Sequence, residues 1–534
     1  MKRTFNLADL FEAVAEAVPE RLAIICGDFR ETYAGLNRRA DALAARMQQQ
    51  GVGSGDSVGL QLYNGPEYLE GFLAACKLGA MPVNINYRYV ADELRYLYDN
   101  AKLKALLYSE NLSEVVEPLL PEFPAIAFHS RSGQAYEEML AAAPASPEPV
   151  QRSDDDIMLL YTGGTTGLPK GVMWPHKALF FGALGGGGFF RAEGPVASPE
   201  ELAEVARGSH PLRYFAIAPL MHGAALWATL VSLLAGQTVL IRPHGEFDPE
   251  AIWELTAQLK ANIVSIVGDA MGMPMLEALR RNPGRWDLTS VMVLGSGGGL
   301  FSAHVQAGLR EHLPNARVAD SMGSSEGGVL GNGNHPTSGD GLIRLEPRAD
   351  IGVVSETLDR LLGPGEQGIL VRSGHVPVGY FGDPEKTAKT FFELDGRRFV
   401  NMGDRARIDA DGGIVVLGRD SQCINSGGEK VHVEEVEEVL HRHPAVADAV
   451  VVGVPDPRWG RVVGAVIALH EGHSLDAEEL KTFSRQFLAG YKVPKHFAEA
   501  GAVQRSPAGK ADYRWALATL EAHLAAQARE HSPA

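Results

Sequence analysis

The segment YTGGTTGLPKG, Tyr161 to Gly171, gathers four glycines, three threonines, a proline and a lysine directly behind the apolar run IMLLY. Those residue types suit the holding of phosphate. Glycines let backbone N–H groups converge on an anion, threonine hydroxyls add donors, and a lysine supplies charge. Thr162, Gly163, Gly164, Thr165, Thr166 and Lys170 are therefore candidate phosphate contacts. The common nucleotide-triphosphatase loop does not fit. With Lys170 in its lysine position, Gly164 matches the first glycine, but Pro169 replaces the second and Gly171 replaces the hydroxyl that binds Mg²⁺. In isolation the same string also reads as a glycine-rich surface turn that binds nothing.

Such a turn acts only if a scaffold holds it. The first third of the chain alternates strand and helix. LAIICG, VGLQLY, MPVNIN and ALLYS read as strands. YAGLNRRADALAARMQQQ places Leu36, Ala40, Leu43, Ala44 and Met47 on one helical face and ends at Gly51, while Pro66 opens the helix PEYLEGFLAACKL. This alternation predicts parallel sheets covered by helices on both faces. SPEPVQRSDDD is a connector ahead of IMLLY, and the glycine run Gly185–Gly188 reads as a mobile loop. From about Gly363, short strands with glycine turns predict a small β-barrel-like part. After Gly418 a new order begins (VEEVEEVLHRH, ADAVVVGV, RVVGAVIALH, LDAEELKTFSRQFL), which places a domain boundary at Arg419–Ser421.

Bulk properties narrow the classes. A chain of 534 residues exceeds what one hydrophobic core serves, so at least two domains are expected. A net charge of -17 opposes a nucleic-acid binder, whose affinity rests on cations meeting phosphates. The three cysteines Cys26, Cys76 and Cys423 have no metal or disulfide spacing, as expected for a reducing compartment. The start MKRTFNLADLFEAVAEA turns acidic where a secretory signal needs an apolar run. The longest uncharged stretch, Tyr214–Ile241, is broken by Pro219, His222, Gly223 and Gly236 into strand, turn, helix and strand. A cytoplasmic protein without a transmembrane segment is the expectation.

YTGGTTGLPKG closely resembles the phosphate-loop signature of the adenylate-forming superfamily of acyl-CoA synthetases, luciferase and peptide-synthetase adenylation domains. Further segments resemble that superfamily in the same order along nearly the whole chain. SMGSSEGG falls where the family has an aromatic-Gly-Thr-Thr-Glu motif. The resemblance makes Glu326 the Mg²⁺ ligand, Ser325 the α-phosphate contact, and Ser321, Met322, Gly323 and Ser324 nucleotide neighbours. Met322 replaces the tyrosine that lies against adenine in the family. GSGGGLFS, with Gly295, Gly297 and Gly298, matches the loop between adenine and acyl sites. Asp404 in NMGDRARID and Arg419 in LGRD match the ribose contacts. Ser421 stands at the hinge position, where the family usually has Asp or Lys. Gly427 and Gly428 in INSGGEKV match the pantetheine tunnel, and Lys510 in RSPAGKADYRWAL matches the catalytic lysine.

The resemblance implies a large domain over 1–419, built of two layered α/β subdomains and the small β-barrel-like part, and a small mobile α+β domain over 420–534. It implies ATP, Mg²⁺ and coenzyme A, and two half-reactions: a carboxylate displaces pyrophosphate from ATP, then a thiol displaces AMP. His222 in APLMHGAALW matches the mouth of the acyl pocket, and no Asp for an α-amino group lies between Leu220 and Trp227. IVGDAMGMP falls where the family lines the acyl site, with Gly268, Asp269 and Met271. Asp269 is unusual there; a backbone donor or a polar substrate group are its two candidate partners. GDAM, SMGSSE and RDSQCINSGGEKV together look most like bacterial fatty-acid-type and steroid side-chain CoA ligases. A medium-to-long or bulky alicyclic carboxylic acid is the expected substrate. Two rival readings stand beside it: an acyl-AMP ligase serving a carrier protein, and a non-catalytic nucleotide-binding regulator. Small molecules are the expected partners, nucleic acid is not, and a homodimer or loose membrane contact is compatible with the chain. In HRH, His441 and His443 read as caps of a helix C-terminus rather than a metal pair.

Overall fold

The computed structural model describes residues 2–164, 167–191, 193–299, 301–333, 343–419, 423–426, 429–456, 460–488, 490–505 and 511–530. The alternation of strand and helix builds two large sheets, as the hydrophobic pattern predicts. One has seven strands in the order 379–380, 167–175, 157–164, 81–84, 57–61, 103–108 and 128–131. The second has eight, in the order 328–333, 317–324, 293–297, 263–266, 213–216, 238–241, 22–26 and 29–32. Their inner strands run parallel and carry near-continuous apolar runs; the Ser57–Gln61 strand is buried at every position. Antiparallel strands occur only toward the edges.

Helix starts follow local chemistry. The Thr32 hydroxyl accepts a bond from the Gly35 N–H to open Tyr33–Gln49, and Pro66 opens Pro66–Lys77 at a position whose N–H has no helical partner. One apolar cluster runs from Leu7 through both large sheets to Val416, so the helices between the sheets form a shared core. The uncharged stretch resolves into strand Arg213–Ala216, helix Gly223–Leu234 and strand Thr238–Ile241.

The glycine-turn region after residue 343 is a six-stranded antiparallel sheet, whose longest strand is Arg397–Ile408. A fourth, five-stranded sheet uses only residues from Cys423 onward. Its apolar clusters, from Ile424 to Leu524, contain no residue from the earlier sheets. Among the described residues no helix is long and apolar enough to cross a membrane.

The structure adds detail at two glycine-rich stretches. The Gly185–Gly188 run is a tight turn with positive φ at Gly185, Gly186 and Gly187. The phosphate segment continues from strand into strand. Strand Ile157–Gly164 pairs antiparallel with Gly167–Pro175, so Thr162, Gly164 and Gly167 lie at the end of a hairpin. Composition signals the turn in both cases but not which element resumes after it.

Candidate active site

In the hairpin Thr162 pairs with Lys170 and Gly164 with Gly167, which sets Lys170 at the base of the tip. The Lys170 ammonium lies 2.9 Å from a carboxylate oxygen of Asp383. The hairpin is held from behind by Asn84. Its side chain accepts from the Tyr161 N–H at 2.6 Å and donates to the carbonyls of Tyr161 and Met221 at 3.0 and 2.6 Å. One buried amide therefore ties the phosphate hairpin to the turn that carries His222. Thr165 and Thr166 lie outside the described residues, and Gly163 is placed here by its backbone alone.

The Glu326 segment reaches the same hairpin. Strands Arg317–Ser324 and Gly328–Gly333 form a second antiparallel pair with Glu326 in its turn, so Ser321, Met322, Gly323 and Ser324 lie along one strand leading to the carboxylate. The Trp174 indole N–H donates to the Ser325 carbonyl at 2.8 Å, and the Tyr380 hydroxyl donates to Glu326 Oε1 at 2.8 Å. Both donors belong to the sheet of Lys170, since Tyr380 pairs with Val172. Burial and the Glu326 charge push the Tyr380 phenol far above its ordinary range, so it stays a donor at neutral pH. The Ser324 hydroxyl accepts from the Gly327 N–H at 2.8 Å, and Arg372 donates to the Gly182 and Val329 carbonyls at 2.7 and 3.2 Å. Met322 packs partly buried against the main core rather than offering a free aromatic face. A Cβ at Gly323 would stand 2.6 Å from the Gly328 carbonyl oxygen, so the tight pairing requires glycine there.

Asp404 lies on the antiparallel sheet, where it pairs with Arg419 through the backbone. Its neighbour Met402 packs against Gly327 closely enough that a Cβ on Gly327 would overlap the Met402 sulfur. Gly297 pairs with Ser321, and Gly298 (φ 87°) turns the chain toward the acyl side.

The acyl candidates also converge. His222 precedes helix Gly223–Leu234, and Ala225 on that helix joins Ala218, Val267 and Met271 in one apolar cluster. Gly268 opens helix Gly268–Arg281, where its N–H donates to the Ser296 hydroxyl at 2.9 Å. Gly295 borders open space: a Cβ there would meet nothing within 4 Å. Asp269 Oδ1 accepts from the Ser302 N–H at 3.0 Å, the backbone alternative raised by the sequence, while Oδ2 is buried without a hydrogen-bond partner among the described residues. Nearby Asp320 likewise has a sealed, unpartnered Oδ1. Burial, reinforced by the Asp269 charge, raises the Asp320 carboxyl to about 7.

Ser421, Gly427, Gly428 and Lys510 lie outside the described residues. Their flanks are described: strands Cys423–Ser426 and Glu429–His432 form an antiparallel pair, and Arg505 pairs with Ala511. His441 Nδ1 lies 2.6 Å from the Glu437 carbonyl and Nε2 3.2 Å from Asp448, while His443 lies 3.5 Å from Glu479. Among the described residues no group of three or more His, Cys, Asp or Glu could hold a metal.

Sequence reasoning missed Asn84, Trp174, Arg372, Tyr380, Asp383 and Asp320. Asp320 is the one with a sequence signal, since it immediately precedes SMGSSE.

Comparison with known proteins agrees with this geometry. The AMP-binding enzyme family matches residues 11–381, and the AMP-binding enzyme C-terminal domain matches residues 435–510. A medium/long-chain-fatty-acid–CoA/3-oxocholest-4-en-26-oate–CoA ligase of Mycobacterium marinum is 41% identical, over 98% of each chain. The 3-oxocholest-4-en-26-oate–CoA ligase of Rhodococcus rhodochrous is also 41% identical, over 96% of this chain and 95% of that one. The fold is shared with the anthranilate CoA ligase AuaEII in complex with anthranoyl-AMP (TM-score 0.84, 21% identity, 99% of each chain). It is shared as well with ATP-bound MatB from Rhodopseudomonas palustris (TM-score 0.82, 24% identity, 98% of this chain and 99% of that one). The chain belongs to the AMP-binding enzyme family, the adenylate-forming superfamily, with a large N-terminal α/β part and a small C-terminal domain.

Proposed function

We propose that this protein is an AMP-forming carboxylic acid:CoA ligase acting on medium- or long-chain fatty acids or bulky alicyclic, steroid-type acids. The observation that carries the reading is the fastening of the Glu326 turn to the Lys170 hairpin through Tyr380 and Trp174. It brings a carboxylate and a hydroxyl- and lysine-bearing tip together, as a metal-bound triphosphate requires. The full-length likeness to fatty-acid and steroid-acid CoA ligases supports the choice of acid.

Residues 1–419 bind acid and nucleotide, and residues 420–534 form a mobile domain carrying Lys510. A separate apolar core after residue 424 supports that division. Thr162, Thr165, Thr166, the Gly163–Gly164 backbone and Lys170 hold the β and γ phosphates. Lys170 reaches them by leaving Asp383, with which it forms an ion pair. Asp404 accepts from the ribose hydroxyls and Arg419 donates to the ribose, and Gly297, Gly298 and the Ser321–Gly323 strand flank the adenine.

Glu326 suits Mg²⁺: the ion favours oxygen ligands, and a site with one protein carboxylate completes its shell with phosphate and water. Bound there, Mg²⁺ offsets phosphate charge during transfer. Tyr380 fixes the orientation of the Glu326 carboxylate by holding Oε1.

A carboxylate oxygen of the acid forms a bond to the α-phosphorus as the bond to pyrophosphate breaks. Ser325 contacts the α-phosphate, and Lys510 offsets the charge that builds between acid and phosphate. His222, Gly268, Met271 and Gly295 shape the acyl pocket. The small domain then turns about Ser421 and presents Gly427 and Gly428 to coenzyme A. Its thiol, losing a proton, attacks the carbonyl carbon and AMP leaves.

The test is a panel of fatty, aromatic and steroid acids with ATP, Mg²⁺ and CoA, followed by mass spectrometry of acyl-CoA and AMP. Equimolar acyl-CoA and AMP from fatty or steroid acids is expected. AMP release only with a phosphopantetheinyl carrier protein contradicts the CoA assignment.

A further inference from the structure

We propose that Arg372 is a positioning residue for Glu326: its buried guanidinium fixes the turn that carries this carboxylate against the phosphate hairpin, and so couples the binding of Mg²⁺ to that of ATP. The proposal rests on the ligase reading above.

Arg372 lies on strand Gln367–Ser373 of the six-stranded sheet and is only 2% exposed. A cation in such a place is costly unless charge and hydrogen bonds both meet it. Charge comes from Asp350, which also pairs with the exposed Arg348 and whose Oδ2 accepts from Arg372 Nε at 3.1 Å. The hydrogen bonds come from outside its own sheet. Nη1 donates to the carbonyls of Gly182, Gly327 and Val329, at 2.7, 2.5 and 3.2 Å. Gly182 ends the helix His176–Gly182 that follows strand Gly167–Pro175 of the phosphate hairpin. Gly327 directly follows Glu326, and Val329 lies on strand Gly328–Gly333 of the eight-stranded sheet. One guanidinium therefore joins the six-stranded sheet, the Glu326 turn and the helix that leaves the hairpin.

The chain is built around this contact. Gly328 has φ 67°, and a Cβ on it would stand 2.8 Å from Arg372 Nη1 and 2.7 Å from the Gly182 carbonyl oxygen. A Cβ on Gly182 would stand 2.3 Å from the His375 carbonyl oxygen. Glycine at these two positions lets three backbones close on the guanidinium. The turn is fixed from its other side as well, where the Trp174 indole donates to the Ser325 carbonyl. The carbonyls before and after Glu326 are thus both pinned, while Tyr380 holds the carboxylate itself.

Lysine does not fit this role. A guanidinium is a planar fork of five N–H donors, so one edge serves Asp350 while another serves the carbonyls; an ammonium is a point charge on a flexible stem. Loss of the fork frees the peptide after Glu326, and the carboxylate no longer keeps its place relative to Lys170. A metal ligand that loses its supporting hydrogen bonds typically costs about 10–100-fold in metal affinity. The phosphate contacts at Thr162 and Lys170 belong to the hairpin, which Asn84 fastens separately. Metal binding therefore weakens when Arg372 is replaced, while metal-free nucleotide binding survives.

Calorimetric titration of the full-length protein with ATP, once in Mg²⁺ and once in EDTA, reads this coupling without turnover. The readout is the gain in ATP affinity that Mg²⁺ confers. R372K is expected to lower that gain at least threefold, with the Kd in EDTA within twofold of wild type. It is also expected to raise about tenfold the Mg²⁺ concentration that half-saturates acid-dependent pyrophosphate exchange. D350N keeps the arginine but removes the carboxylate that orients its fork. It is expected to shift both readouts the same way, at least twofold, and it carries the test if R372K does not fold. Equal loss of ATP affinity with and without Mg²⁺, or an unchanged gain in a folded variant, overturns the proposal. A wild-type chain with acid-dependent exchange but no Mg²⁺ gain overturns the proposal alone. One with neither removes the ligase reading itself, and this proposal with it.

Discussion

Asp320 is a carboxyl group held where ionisation is costly. Its sealed Oδ1 and the like charge of Asp269 raise it to about 7, whereas an unfolded chain ionises it near 4. Between those values the folded chain keeps a proton that the unfolded chain has released, so Asp320 makes the fold less stable as pH rises. D320N removes that slope. Chemical denaturation at several pH values should show the variant gaining on wild type from pH 4 to about pH 8, by on the order of 4 kcal/mol, with no further gain above. A difference that stays flat with pH contradicts the assignment. At this scale the sequence singled out residues whose types suit phosphate or a metal, as at Thr162, Lys170 and Glu326, and the structure brings their elements together. The sequence was silent where a residue acts by holding another. Trp174 and Tyr380 sit in strand patterns that read as core, and only the fold brings their N–H and O–H to the Glu326 turn.

The site depends on two antiparallel excursions from parallel sheets, the Ile157–Pro175 hairpin and the pair leading through Glu326. Hairpin register is fixed by what fastens it, and Asn84 fastens the first by three hydrogen bonds. N84A leaves the Tyr161 N–H and the Met221 carbonyl unpaired in a buried place. Each such loss costs roughly 1–3 kcal/mol, so equilibrium unfolding should show about 2–4 kcal/mol of destabilisation. The variant should also raise the KM for ATP, because the freed hairpin no longer holds the tip in place. Stability within 0.5 kcal/mol of wild type, about the scatter of a surface substitution, contradicts the clamp. Helices and parallel strands were legible here because apolar spacing fixes them, as in Tyr33–Gln49. The hairpin was not, since glycine and threonine mark a turn without stating whether strand or helix follows.

For the whole molecule, the division into a large part and a small terminal domain showed in the sequence as a change of element order after Gly418. What the sequence could not show is how the two meet. The central claim concerns the joint action of those parts: this chain joins a carboxylic acid to the α-phosphate of ATP. The most direct measurement is incorporation of labelled pyrophosphate into ATP, with Mg²⁺ and without CoA, in the presence and absence of a long-chain fatty acid. Exchange that requires the acid is predicted, with acyl-adenylate detectable on the protein by mass spectrometry. No exchange with fatty, aromatic or steroid acids, by a folded protein that still binds ATP, contradicts the account.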